Sequence, residues 1–378
     1  MGPGPSDVSP RVLEALARPT IGHLDPAFVG LMDDVRSLLA ATFRTESAFT
    51  MPVSGPGTAG METCVVNLIE PGTTAIVCRN GVFGDRLRQM VERAGGIAVV
   101  VDSPWGRAVD PEAVERAMEE HHEAEVLMFV HAETSTGAQS DAATIAGLGR
   151  KHGMTVIMDA VTSLGGIPVW LDDWGVDAAY SGTQKCLSAP PGLSPVAFSP
   201  AALDRVRERT VPVQSWFMDV SLVAAYWGDG APKRAYHHTA PINMVYALHE
   251  ALLALHEEGL ENAWRRHAAM HTALAAGLEA LGLTYVVPAG ERLPQLNAVW
   301  VPDGVDEPVA RGRLLDEFGL EIGGGLGNFA GKVWRIGLMG YGAREQNVRA
   351  CLRAIETVLD RSGGVDAADE VLSASDVA

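Results

Sequence analysis

The sequence is poor in cysteine, in lysine and in basic charge, and each shortage narrows what the chain can be. Its four cysteines, Cys64, Cys78, Cys186 and Cys351, lie far apart with no Cys-x-x-Cys pair. That spacing argues against a zinc knuckle or a disulfide framework and suits a reducing compartment. Basic residues number 29 against 47 acidic ones, for a net charge of -18, so the chain repels nucleic acid and anionic membrane rather than recruiting them. No stretch reaches the roughly 18 uninterrupted apolar residues of a membrane span. Met1–Pro10 has neither the basic nor the apolar part of a secretory leader, and the expected address is the cytoplasm.

What is there is enough for a full core: 378 residues, 47% of them hydrophobic, a length that suggests one large domain and one smaller one. Short β-branched runs, Thr74–Cys78, Ile97–Val101, Glu125–Val130, Thr155–Asp159, Ala178–Ser181 and Val196–Ser199, alternate with helical segments such as Phe83–Ala94, Pro111–Glu120 and Ala142–His152. Such alternation implies crossover connections and a mostly parallel sheet, whose ligands gather at the carboxyl ends of the strands. From Asn243 to Leu281 the pattern is strongly helical, and beyond Thr284 it reads strand, helix, strand, helix, a small α+β unit. The expected division is an N-terminal arm (1–20), a large domain (21–258), a small domain (259–361) and a small, polar, acidic tail (362–378) whose composition predicts no stable structure.

Three features could carry chemistry. Thr155-Val-Ile-Met-Asp159 runs apolar into a carboxylate at a strand's carboxyl end; alone, Asp159 reads equally as a turn or cap residue. Ser181-Gly-Thr-Gln-Lys185 places a lysine in a loop just after another strand, where desolvation would make it an amine nucleophile, although a lone loop lysine is more often simply solvated. Ser54-Gly-Pro-Gly57 opens a helix, so that the N–H groups of Gly57, Thr58 and Ala59 could cradle an anion; in isolation it is also a plain tight turn. In this order the three match a pyridoxal phosphate site: phosphate cradle, acid for the pyridine nitrogen, Schiff-base lysine.

The chain resembles the alanine–glyoxylate / serine–pyruvate aminotransferases, class V members of the fold-type I pyridoxal phosphate superfamily. The resemblance runs from Gly4-Pro5-Ser6 to about Leu359. It rests on Glu133-Thr-Ser-Thr-Gly137, Asp159-Ala-Val-Thr-Ser-Leu-Gly-Gly166, Tyr180-Ser-Gly-Thr-Gln-Lys185 with Ala189-Pro-Pro-Gly192, Tyr236-His-His-Thr239, Glu258-Gly-Leu-Glu-Asn-Ala-Trp264 and Arg335-Ile-Gly-Leu338. It implies an α/β fold, a large domain with a mostly parallel seven-stranded sheet and a small α+β C-terminal domain.

By the same resemblance Lys185 holds the cofactor and shuttles the proton, and Asp159 pairs with the ring nitrogen. Phe83 stacks on the ring where relatives often have tryptophan, Thr134 contacts the ring, and Gln184 joins Gly57, Thr58 and Ala59 on the phosphate. Tyr236 and Thr239 reach the neighbouring subunit's phosphate, which implies a homodimer with shared sites. Arg335 binds the substrate carboxylate, with Gly323-Gly-Gly325 at the cleft mouth and no metal required. The implied reaction is ping-pong transfer of an amino group from alanine or serine to glyoxylate or pyruvate. Relatives on this scaffold use hydroxykynurenine, aminoethylphosphonate or pyridoxamine as donors, and these remain alternatives. A cysteine desulfurase-like lyase is a weaker one, because the Gly323–Asn328 loop has no thiol. His23 is a candidate for the pocket border or a turn before a helix.

Overall fold

In the computed structural model, which describes residues 1–228 and 234–375, the apolar runs become the centre of a covered sheet. The chain enters through α1 (Pro10–Leu16) and α2 (Pro26–Phe43), then builds β1 (Phe49–Ser54), α3 (Gly57–Leu68), β2 (Thr74–Arg79), α4 (Val82–Arg93), β3 (Ile97–Asp102), α5 (Pro111–Glu120) and β4 (Val126–Val130). A two-strand hairpin, β5 (Ala132–Glu133) and β6 (Ala138–Gln139), precedes α6 (Ala142–Lys151), β7 (Thr155–Asp159), α7 (Leu171–Trp174), β8 (Ala178–Tyr180) and β9 (Leu193–Phe198). Then come α8 (Pro200–Arg207), α9 (Val220–Trp227), α10 (Ile242–Glu258) and α11 (Leu260–Ala280). The chain continues with β10 (Leu296–Trp300), α12 (Glu307–Phe318), β11 (Gly323–Gly324), β12 (Val333–Gly337), α13 (Glu345–Leu359) and α14 (Gly364–Ser375).

Helix starts follow local chemistry. Asp25, Asp110, Asp141, Asp219 and Asp306 each accept a first-turn N–H, Ser9 and Ser199 do the same, and proline opens α1, α2, α5 and α8, where its missing donor costs nothing.

The main sheet has seven strands in the order β1-β9-β8-β7-β4-β2-β3. Strands β3, β2, β4, β7 and β8 are parallel neighbours, whereas β9 runs antiparallel to both β8 and β1. Its central strands are buried on both faces, as helices on each side require. A second sheet, β10-β12-β11, is wholly antiparallel and packs with α11 to α14. Helix α11 serves both units, giving Leu260 and Ala263 to the large core and Met270 to Leu278 to the small one. The helical stretch expected from Asn243 to Leu281 is interrupted at Gly259, whose φ of 86° stops α10 and restarts the chain as α11.

The expected unstructured tail is corrected by α14. Val365, Ala368 and Leu372, three and four residues apart, form an apolar stripe, and the last two are buried among the small domain's core residues. The Glu356 carboxylate accepts from the N–H groups of Gly364 and Val365 at 2.7 and 3.1 Å, and Arg349 pairs with Asp369 at 2.6 Å. Composition alone hid this spacing. Residues 376–378 of the expected tail lie outside the described residues. Among the described residues no helix is long and apolar enough to cross a membrane.

Candidate active site

Parallel strand ends build the floor. Asp159 closes β7 and Tyr180 closes β8, in register beside each other. The two meet through a 2.8 Å hydrogen bond from the Tyr180 hydroxyl to one Asp159 oxygen, while the Val161 N–H donates to the other at 2.8 Å. Burial pushes the Asp159 carboxyl up to about 7, against the two hydrogen bonds, and the Glu133 carboxylate adds to the rise while Lys185 opposes it.

Lys185 lies five residues past Tyr180, in the turn where its own N–H donates to Gly182 O at 3.3 Å. Burial pushes its amine down to about 8; Cys186 and Asp159 raise it and the Arg335 cation lowers it further. Its Nζ donates to the carbonyl of Pro3 in the N-terminal arm. The amine and the acid thus occupy one desolvated cluster, each shifted toward its neutral form.

The anion cradle is partly as expected. Helix α3 has Pro56 as its cap, with no side-chain hydrogen bond, and its first N–H groups have no earlier turn to donate to. Ala59 is a correction: its N–H donates to Pro56 O at 2.7 Å, which leaves Gly57 and Thr58 as the available donors. Gly57 is closely packed, since an added Cβ would lie a tight 3.2 Å from a Val161 methyl and an ordinary 3.6 Å from the Cα of Gly182. Gly182 in turn faces the Gln184 amide, whose buried Oε1 has no hydrogen-bond partner. Gln184 and the α3 terminus are therefore assembled side by side.

Phe83 is the second residue of α4, half-buried, and its N–H donates to Glu133 at 3.2 Å. The same carboxylate accepts from Gly84 N–H at 3.3 Å and from Ser135 through its N–H and hydroxyl at 3.0 and 2.5 Å. Glu133 is fully buried, which makes it a weaker acid than an ordinary carboxyl group despite those donors. It fixes the start of α4 against the hairpin turn that carries Thr134, so one buried acid sets the position of both ring-contact candidates. Thr134 is buried, with its hydroxyl against that of Thr162.

Arg335 projects from the middle of β12 and is nearly buried. Its Nε donates to Gly324 O at 2.8 Å and one Nη to Thr134 O at 3.1 Å. Among the described residues no carboxylate pairs with it, and burial draws its guanidinium down to about 10. Both bonds leave the terminal fork, formed by the two Nη atoms, with free donors. Gly323-Gly-Gly325 is not an open loop at this point: Gly323 and Gly324 form β11 and clamp Arg335 from the side.

Tyr236 and Thr239 stay out of this cluster in the single chain. Both are exposed, and the Tyr236 ring lies 5.0 Å from that of His23. The neighbouring surface is aromatic: Trp216, 62% exposed, stacks on His237 at 4.4 Å, with Phe217 beside it. His23 borders this surface rather than Lys185.

Sequence reasoning singled out no role for Tyr180, Glu133, Arg86 or the arm. Arg86 donates to the Thr58 hydroxyl at 3.0 Å and sits 5.0 Å from the Phe83 ring centroid. Its signal was available as an arginine three residues after the candidate stacking ring, on the same helix face.

A family model described as Aminotransferase class-V matches residues 13–349. Alanine–glyoxylate aminotransferase of Drosophila melanogaster is 38% identical over 364 residues, covering 96% of this chain and 92% of the relative. Among solved structures, ureidoglycine–glyoxylate aminotransferase of Bacillus subtilis superposes with a TM-score of 0.95 at 36% identity, covering 99% of this chain and 97% of that one. Alanine–glyoxylate aminotransferase of Nostoc sp. superposes with a TM-score of 0.92 at 45% identity, covering 95% and 94%.

Proposed function

The chain belongs to the class V aminotransferases, whose members use pyridoxal phosphate, and on that premise we propose that it moves an amino group from a small amino acid, alanine or serine, to glyoxylate or pyruvate. One observation carries the reading: an amine, Lys185, whose pKa is lowered chiefly by burial, shares its cluster with the Asp159 carboxyl and an arginine fork that pairs with no carboxylate among the described residues.

The residues present fit the cofactor. The open end of α3 at Gly57 and Thr58 suits a phosphate, and the unmatched Gln184 amide, turned over, offers two more donors to it. Asp159 would pair with the ring nitrogen, Phe83 and Thr134 would contact the ring, and Lys185 would be the point of covalent attachment. Bound there, pyridoxal phosphate supplies an electron sink for the substrate's α-carbon.

The chain's own work is binding and proton handling. Arg335 would grip the substrate carboxylate through the donors that remain on its two Nη atoms, one of which also donates to Thr134 O, and this fixes the α-carbon. Lys185 would be the group that takes the substrate's α-proton and holds it for return. Tyr180 holds Asp159 in place. Donor and acceptor would use the same fork in turn, as a ping-pong sequence requires. Tyr236 and Thr239 would complete the partner's phosphate site in a homodimer, and the exposed aromatic surface around Trp216 supports pairing there.

Other donors follow from the relatives, one of which is named for ureidoglycine. Desulfuration is disfavoured by thiol placement: Cys186 and Cys351 are buried, and burial pushes both up to about 12. The deciding experiment is a half-reaction panel. The visible band of the bound cofactor should bleach with L-alanine or L-serine and return with glyoxylate or pyruvate. Bleaching by ureidoglycine alone would reassign the donor, and no bleaching with any amino acid would reject aminotransfer.

A further inference from the structure

The N-terminal segment Gly2-Pro3-Gly4-Pro5-Ser6 has no long side chain to offer, yet its backbone reaches the Lys185 amine. It is tied down on both sides of the cleft. At the small domain, the Gly337 N–H at the end of β12 donates to Met1 O at 2.8 Å. At the large domain, Ser6 N–H donates to Gln184 O at 2.7 Å, and the Ser6 hydroxyl to Lys185 O at 2.7 Å. Between these anchors the Pro3 carbonyl faces the Lys185 amine and is the one acceptor for it among the described residues.

We propose that the Pro3–Gly4 unit is a positioning element for Lys185, its carbonyl holding the amine in place whenever that amine is not covalently engaged. The inference rests on the reading of Lys185 as the attachment and proton-carrying residue. Lysine has a four-carbon stem with many rotamers, so a freed amine loses its aim unless a fixed acceptor restrains it.

A backbone carbonyl suits that purpose because it is neutral. A carboxylate in its place would favour the ammonium form strongly and hinder proton uptake, whereas a carbonyl orients the nitrogen at little cost to its basicity. The charged groups facing the amine are Asp159 from β7 and Arg335 from β12, of opposite sign. Geometry leaves little slack. Gly4 has a φ of 108°, and a Cβ there would stand 2.5 Å from Nζ and 3.0 Å from both Cδ and Cε of Lys185. On its other flank, a Cβ on Gly323 would stand 2.6 Å from the Pro3 ring. Glycine on both sides lets the arm lie flat between the lysine and the strand that clamps Arg335.

The test compares the wild-type holoenzyme with Gly4→Ala, with a deletion of residues 2–5, and with Gly2→Ala. At Gly2 an added Cβ would meet only the Glu321 carboxylate, at an ordinary 3.7 Å. The readouts are the half-reaction rate with the active donor, its isotope effect when deuterated at the α-carbon, the cofactor dissociation constant, and borohydride fixation to the Lys185 peptide. Gly4→Ala and the deletion should slow the half-reaction by about tenfold or more, with a larger isotope effect and unchanged cofactor affinity, while Gly2→Ala matches wild type. If Gly4→Ala does not fold, the deletion decides. Unchanged rate and isotope effect in the deletion overturn the proposal, and so does a rate loss matched by an equal loss of cofactor affinity. Absence of a pyridoxyl label on Lys185 in wild type would instead overturn the reading on which it rests.

Discussion

Lys185 and Arg335 are two cations held in one buried neighbourhood, and the cost of that arrangement appears in how they titrate. Burial brings the Lys185 amine to about 8 from its usual 10.5, so the uncharged, nucleophilic form dominates above about pH 8. Cofactor-free protein mixed with pyridoxal phosphate should form the covalent link at a rate that rises to about pH 8 and then levels. Stopped-flow absorbance measures this, and a rate still climbing near about pH 10 would mark an ordinary solvated amine. Lys185→Ala should abolish the link and turnover while some noncovalent binding persists. Arg335→Ala should raise KM for donor and acceptor alike, by roughly tenfold to a hundredfold, the worth of a charge-assisted pair. Arg335→Lys should restore only part of the loss, since an ammonium cannot present two parallel donors. Steady-state kinetics with both substrates decides, and an unchanged KM for both would place the carboxylate elsewhere.

Elements were legible where periodicity was strong and hidden where spacing was diluted by small residues. Thr155–Asp159 forms as read, and the other five expected strands lie within a few residues of their observed ends. Strand β1 was missed: Pro52 at its centre argues against a strand, and it is accommodated because β1 is at the sheet edge, paired on one side only. Asp159 and Lys185 were legible because each follows a clear apolar strand. Glu133 and Tyr180 were not, because their importance lies in contacts made across the sheet rather than in any local pattern. The same limit hid α14, whose stripe is broken by alanine and acidic residues. Leu372→Ala in that helix should cost about 2 kcal/mol or more, read as a lower unfolding midpoint in denaturant. Gly277 of α11 should tolerate no side chain, because an added Cβ would stand 2.7 Å from Gly364 O at the start of α14. Neither change should alter KM, since both lie in the small domain's core where α11, α13 and α14 meet.

At the scale of the whole molecule, the single chain holds an amine, an acid, a fork and an open helix end, while Tyr236 and Thr239 are exposed. If sites are shared, lesions on different chains should complement. Lys185→Ala and Tyr236→Ala proteins, unfolded together and refolded as a mixture, should regain activity at limiting cofactor that neither shows alone, because one site of each mixed dimer is intact. No gain from mixing would confine the whole site to one chain.

The bond between Met1 and Gly337 joins residues far apart in the sequence. During synthesis the arm leaves the ribosome long before β12 does, so its bond to Gly337 can form only after its partners at Gln184 and Lys185 have emerged. The side of the lysine's surroundings that β12 supplies, with Arg335 and the Gly337 anchor, is thus finished last. A nascent chain halted before β12 should therefore hold a Lys185 amine that titrates closer to its ordinary value than the amine of the completed protein does.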